Sequence, residues 1–225
     1  VVAEYASDIA QSVAGELLAV FVVDSRLVEG AFARLLGETL PGSETLEIAN
    51  TLAAMLERHG DEALDMVASV AERKGVKCEK RIERGRPAQA LAAMAPLYDL
   101  AVLGSHGSED DFRTCLMGST TSELVRITTR PLLVVRKEYK PVRHVLVGYD
   151  GSPEATRALD TVVSLAQAAG WQLTIIVAAD YEPTGHKLAA QAKQFRGLGD
   201  VQHQVKVLKG EASHVLLEAV DDEGA

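Results

Sequence analysis

The chain has 225 residues, 47% of them hydrophobic, and 32 acidic against 23 basic side chains give it a formal net charge of −9. That balance excludes a surface built to hold nucleic acid or anionic lipid, since both need a basic face. No apolar run reaches the about 18 residues of a membrane span, so no membrane partner is expected.

Taken in chain order, the first apolar run without alternation is Leu17–Val23, as expected of a parallel strand buried on both faces. A long connection follows, roughly 25–75, in which Leu52, Met55 and Leu56, then Leu64, Val67 and Val70, recur at helical spacing. His59-Gly60 predicts a break between those two helical stretches. Val76, Cys78 and Ile82 then alternate with Lys77, Glu79, Arg81 and Glu83, and so charged a strand reads as an edge. Gly85-Arg86-Pro87 is a turn with proline at the start of an alanine-rich helix. Leu100–Leu103 and Leu132–Val135 are short apolar runs that predict interior strands. Cys78 and Cys115 are the only cysteines, and two such thiols are expected free, as in a reducing cytoplasm.

The segment 99–137 carries the most information. Its first strand runs into Gly104-Ser105-His106-Gly107, and Gly118 opens Ser119-Thr120-Thr121 and a helical pattern that Pro131 stops. Glycines after a strand let backbone approach a ligand, and unpaired N–H groups at a helix start, with hydroxyls beside them, suit a phosphate. The alternative is a tight turn and a plain helix start. No Gly-Lys-Ser/Thr phosphate loop and no Gly-x-Ser-x-Gly elbow is present. The six histidines show no metal-ligand spacing, so neither a catalytic set nor a metal site is expected.

The sequence also repeats itself. Ser7–Asp24 aligns with Val163–Asp180, and Val76–Leu91 with Val201–Leu216. The second half opens with Arg143 to Ser152, a strand ending in Asp150-Gly151-Ser152, where Ser152 followed by Pro153 makes a good helix cap. Asp150 closes a buried strand, and an acid there needs a partner.

These motifs resemble the universal stress protein family. Its nucleotide-binding members carry Gly, two residues, Gly, nine residues, Gly, then Ser or Thr. Here the pattern is Gly104, Gly107, Gly118 and Ser119, with ten residues in the second spacer and Glu109-Asp110-Asp111 inside it. Three acids beside a triphosphate would repel it unless a divalent cation intervenes. The resemblance implies an α/β fold: a Rossmann-like open parallel sheet of order 3-2-1-4-5, with helices on both faces, in two tandem repeats. The domains expected are 1–138, lacking its first strand, and 143–225, lacking its fourth and fifth strands.

In that order the switch point lies between strands one and four, where such sheets bind ligands. By resemblance, Gly104, Ser105, His106 and Gly107 line the ribose and phosphates of ATP or a related adenine nucleotide. Gly118, Ser119 and Thr120 hold phosphates, adenine lies near Val22, and Asp150 matches an Asp that contacts adenine. Three functions stay open: a nucleotide-occupied stress-response protein in the cytoplasm, a ligand-free interaction module, and an ATP-using enzyme on the same fold. The module would self-associate through the fifth-strand edge or pair its own two halves.

Overall fold

A computed structural model describes residues 1–29, 42–105, 118–136 and 138–223. Two compact units divide the chain, Val1–Tyr139 and Lys140–Ala225. In the first, the helix α1 (Val2–Ser12) leads into the strand β1 (Leu17–Asp24) and the short helix α2 (Ser25–Glu29). Then come α3 (Gly42–Arg73), β2 (Cys78–Gly85), α4 (Pro87–Ala93), β3 (Ala101–Gly104), α5 (Ser119–Ile127) and β4 (Leu132–Val135). The second holds β5 (His144–Gly148), α6 (Pro153–Ala169), β6 (Gln172–Ala178), α7 (Glu182–Lys193), β7 (His203–Leu208) and α8 (Ala212–Glu223).

The second unit shows the building rule. Its three strands run parallel in the order β5-β6-β7, so the central β6 is hydrogen-bonded on both sides. Five consecutive residues of β6, Leu173 to Val177, are buried, as a strand covered on both faces must be. Leu173, Ile175 and Val177 pack with Leu159 and Val163 of α6 and Ala189 and Ala192 of α7. On the other face Ile176 packs with Val215 and Ala219 of α8. Each such side chain removed from water contributes about 1.5–3 kcal/mol. The one polar residue in the run, Thr174, stays satisfied: its Oγ1 lies 2.9 Å from His144 Nε2 and accepts from Gln204 Nε2 at 2.9 Å. Helix α6 begins as its sequence dictates, with Ser152 Oγ accepting from Ala155 N–H at 3.1 Å, and ends on Gly170 at φ +69°.

The repeat extends to hydrogen-bond register. Leu17 lies opposite Cys78 in β1–β2, and Leu173 lies opposite His203 in β6–β7, the positions that the sequence alignment equates. Here the two units diverge. In the first, β1 pairs with β2 and β3 pairs with β4, both in parallel, as two separate two-stranded sheets. The apolar β1 and β3, read from sequence as interior strands, are each paired on one side only among the described residues. All four residues of β3 are half-buried, as is most of β1. The pairs seen are all pairs that the expected order contains, although no one sheet carries the whole order.

Strand β2 is the charged strand expected from its alternation. Lys80 Nζ donates to Asp65 at 2.6 Å and Arg84 Nε to Glu57 at 2.7 Å, both acceptors on α3. At the start of the unit, Lys74 reaches Glu4 at 2.9 Å and also pairs with Asp8, while the Tyr139 hydroxyl donates to Asp8. Burial works against the Lys74 charge, but hydrogen bonds to Asp8 and Glu4 more than offset it and raise its pKa. The bond to Asp8 likewise pushes the Tyr139 phenol up.

The break predicted at His59-Gly60 does not occur: α3 runs unbroken from Gly42 to Arg73. Packing decides the matter. A Cβ on Gly60 would stand 2.5 Å from Cδ1 of Phe21 in β1, so glycine is what lets the helix lie against that ring. The helix absorbs the propensity cost of about 1 kcal/mol because its apolar face is anchored by residues such as the buried Leu64 and Ala71. Gly60→Ala is therefore expected to lower the thermal unfolding midpoint, the overpacking cost of about 1–3 kcal/mol exceeding the gain in helix propensity. A raised midpoint would mean that the Phe21 ring turns aside freely.

Candidate functional site

Of the residues singled out in sequence, the structure brings together those at the end of β3 and the start of α5. Ser105 N–H donates to the Val135 carbonyl at 2.8 Å, holding the chain in line with β4 one residue past the strand. Its own carbonyl accepts from Gly118 N–H at 2.8 Å. Thr121 Oγ1 donates to the Gly104 carbonyl at 3.0 Å, which seats the first turn of α5 on the end of β3. Gly104 and Ser105 thus stand beside Gly118, Ser119 and Thr120. Gly118 is buried, Ser119 is exposed and Thr120 half-exposed.

The first turn of α5 has no side-chain cap: Gly118 is the N-cap residue and no side chain accepts from the helix start. The leading N–H groups of a helix have no intrahelical acceptor, and the helix dipole makes that end positive. Ser119 and Thr120 add hydroxyls to it. Such an end can accept a phosphate or another small anion. His106, Gly107 and the run Glu109-Asp110-Asp111 lie outside the described residues.

Val22 stands two residues before the end of β1, opposite Glu83 of β2. Asp150 belongs to the second unit. Its Oδ1 accepts from Ser152 N–H at 2.9 Å, and contact with Ser152, hydroxyl first and then backbone, holds its carboxyl below the usual range. That turn supplies the partner which an acid ending a strand requires.

Sequence reasoning missed a cluster at the carboxyl end of β1. Asp24 accepts from Arg26 Nε at 3.0 Å on each carboxylate oxygen and from Arg26 Nη2 at 2.6 Å, and its Oδ1 also takes Arg26 N–H at 2.9 Å. This fork holds the Asp24 carboxyl below its ordinary range, with a smaller contribution from the charge of Arg86. Glu123 of α5 adds to the field that favours the Arg26 charge, behind Asp24 itself. Arg86, the N-cap residue of α4, is exposed and has no ion pair among the described residues. The available signal was an acid closing an apolar strand with arginine two positions on.

Parallel strands with covering helices, built twice, and a glycine-flanked helix start at the end of β3 define an α/β protein of open parallel-sheet architecture. The model of the universal stress protein family matches residues 1–136 and again 141–225, and the chain belongs to that family. It is 30% identical over 140 residues to a universal stress protein of Methanocaldococcus jannaschii, covering 61% of this chain and 75% of that one. It is 20% identical over 228 residues to one of Synechocystis, covering 97% of this chain and 79% of its relative. Among solved structures, a universal stress protein from Archaeoglobus fulgidus superposes with a TM-score of 0.75 at 20% identity, over 100% of this chain and 79% of that one. A functionally unknown protein of Pseudomonas aeruginosa gives 0.56 at 14% identity, over 96% of this chain and 81% of its own. These two likenesses establish the shared fold. Among the described residues no group of His, Cys, Asp and Glu is arranged to hold a metal ion, and no helix is long and apolar enough to cross a membrane.

The Asp24–Arg26 pair has a pH signature. Its folded-state pKa is depressed, so its contribution to stability is present above the unfolded-state value of about 3.9 and is lost as pH falls through the lower folded value. Asp24→Asn should therefore be less stable than the parent near neutrality. The gap should close below about pH 4, read as urea midpoints between neutral and acid pH.

Proposed function

We propose that the first unit binds an adenine nucleotide, ATP or a close relative, at the carboxyl ends of β1 and β3. In this reading the protein serves a stress response through occupancy of that site rather than through turnover. The observation that carries the reading is the closure of Ser105 onto Gly118, which sets Gly104 and Ser105 against the uncapped start of α5. Phosphate oxygens would take the N–H groups and hydroxyls of Ser119 and Thr120, with Gly118 allowing close approach. His106 and Gly107 would complete the loop, and adenine would lie toward Val22. Arg86 is an exposed cation within the electrostatic reach of Asp24 at the end of β1. The family assignment supports the class of ligand.

One observation favours a second reading, a ligand-free interaction module that pairs with another copy through β4. The spacer 108–117 is one residue longer than the family pattern and carries Glu109, Asp110 and Asp111. Like charge beside a triphosphate weakens binding unless a divalent cation bridges them.

The deciding experiment is mass spectrometry of small molecules released from freshly purified protein, followed by calorimetric titration with ATP and magnesium. Recovery of near one adenine nucleotide per chain supports the first reading; none recovered and no heat at millimolar ATP supports the second. Ser119→Ala combined with Thr120→Ala is expected to weaken ATP by about tenfold or more, since a hydrogen bond to a charged group contributes about 1.5–3 kcal/mol. Unchanged affinity would remove the start of α5 from the site.

A further inference from the structure

The segment that joins the two units is fastened to the first by one side chain. Tyr139 follows the end of β4 and lies in a stretch, 138–143, that forms neither helix nor strand. Glu138 and Lys140 on either side of it are exposed, whereas Tyr139 is half-buried. Its hydroxyl donates to Asp8 of α1. Its ring meets that of Tyr5 edge to face, with centroids 5.0 Å apart and planes at 67°. The Lys74 ammonium stands 5.3 Å from the Tyr139 centroid, within cation–π range. The corner that receives the ring is built without it: Lys74 pairs with Glu4 and Asp8, and its carbonyl accepts from Gln11 Nε2 at 2.8 Å.

The twofold repeat shows that the fold does not need this corner. Carrying the alignment of the two halves outward by a few residues equates Tyr5, Asp8 and Lys74 with Thr161, Ser164 and Gly199. No ring, carboxylate or ammonium stands at those positions of the second unit, which still builds parallel strands and covering helices. The three residues of the first unit thus serve the joining segment and not the sheet. The contact is also one that can open locally. No strand or helix has to break with it, and a single half-buried side chain leaves the surface.

We propose that Tyr139 is a latch on the inter-unit segment, with a fastened state and a released state. Fastened, the tether to β5 is 140–143, about 13 Å at full stretch. Released, it extends back to the end of β4, and its reach about doubles. The latch thus sets how independently the two units move. This inference stands apart from nucleotide binding and survives if that reading fails.

Chymotrypsin reads the two states, because it cuts after Tyr139 only when that ring leaves its corner for the protease's own pocket. Tyr181 of the second unit, 68% exposed, is the internal reference. In the 225-residue protein, cleavage after Tyr139 is expected to be slower than after Tyr181 by about tenfold or more. Asp8→Ala should speed cleavage after Tyr139 by about tenfold, the effect of losing one hydrogen bond to a charged group, and leave cleavage after Tyr181 unchanged. In a Tyr139→Phe background, which keeps the ring and the cleavage site but lacks the hydroxyl, Asp8→Ala should add less than about twofold. Four results would overturn the proposal. The first is equal cleavage after the two tyrosines in the parent. The second is unchanged cleavage after Tyr139 in Asp8→Ala. The third is equal acceleration at both sites, which would make Asp8 a support of the whole fold. The fourth is the same gain from Asp8→Ala in the Tyr139→Phe background, which would show that the hydroxyl is not the fastening.

Discussion

A parallel strand in this fold must satisfy two demands at once: hydrogen bonds along both of its edges and apolar cover on both of its faces. Strand β6 meets both, between β5 and β7 and between α6/α7 and α8. Its five consecutive buried residues follow from that, and they in turn dictate where the helices lie. Strands β1 and β3 are likewise apolar and, among the described residues, paired along one edge each, and most of their side chains are half-buried.

The candidate ligand site follows from the same constraint. A parallel strand cannot turn back directly, so its chain leaves over the carboxyl end and enters a helix. At β3 the exit and the return are fastened to each other through Ser105 and Gly118, and Thr121 is fastened to Gly104. This fixes an uncapped helix start at the end of β3. At β1 the equivalent exit is held by Asp24 and Arg26. In that fork the Arg26 charge is balanced by Asp24, and Arg86 adds a smaller cationic contribution.

How much of this was legible beforehand varied with the kind of signal. Strand runs of unbroken apolar residues were readable because burial on both faces removes alternation: β4 falls on the residues expected and β3 lies one residue later. The repeat was readable and holds to the register of single hydrogen-bonded pairs. Gly60 was misread because a glycine after a histidine looks like punctuation, whereas here it is a contact surface for Phe21, a residue about forty positions away. The Asp24–Arg26 fork was passed over because two-residue spacing carries no weight in a sequence until a strand end and a helix start hold both side chains at one corner. For Asp150 the need for a partner was foreseen, and the partner is local: the Ser152 turn.

The sequence by itself determined the family, the α/β class, the twofold repeat, the position of most strands and the glycine-flanked motif. All of these are written in short-range patterns, where periodicity, caps and repeated spacing act on neighbouring residues. Only the tertiary structure decided the register in which the strands pair. It also decided that α3 passes Gly60 without a break and that Ser105 meets Gly118. Each of those depends on two stretches far apart in the chain meeting at a distance of a few ångströms, and no local pattern encodes such a meeting.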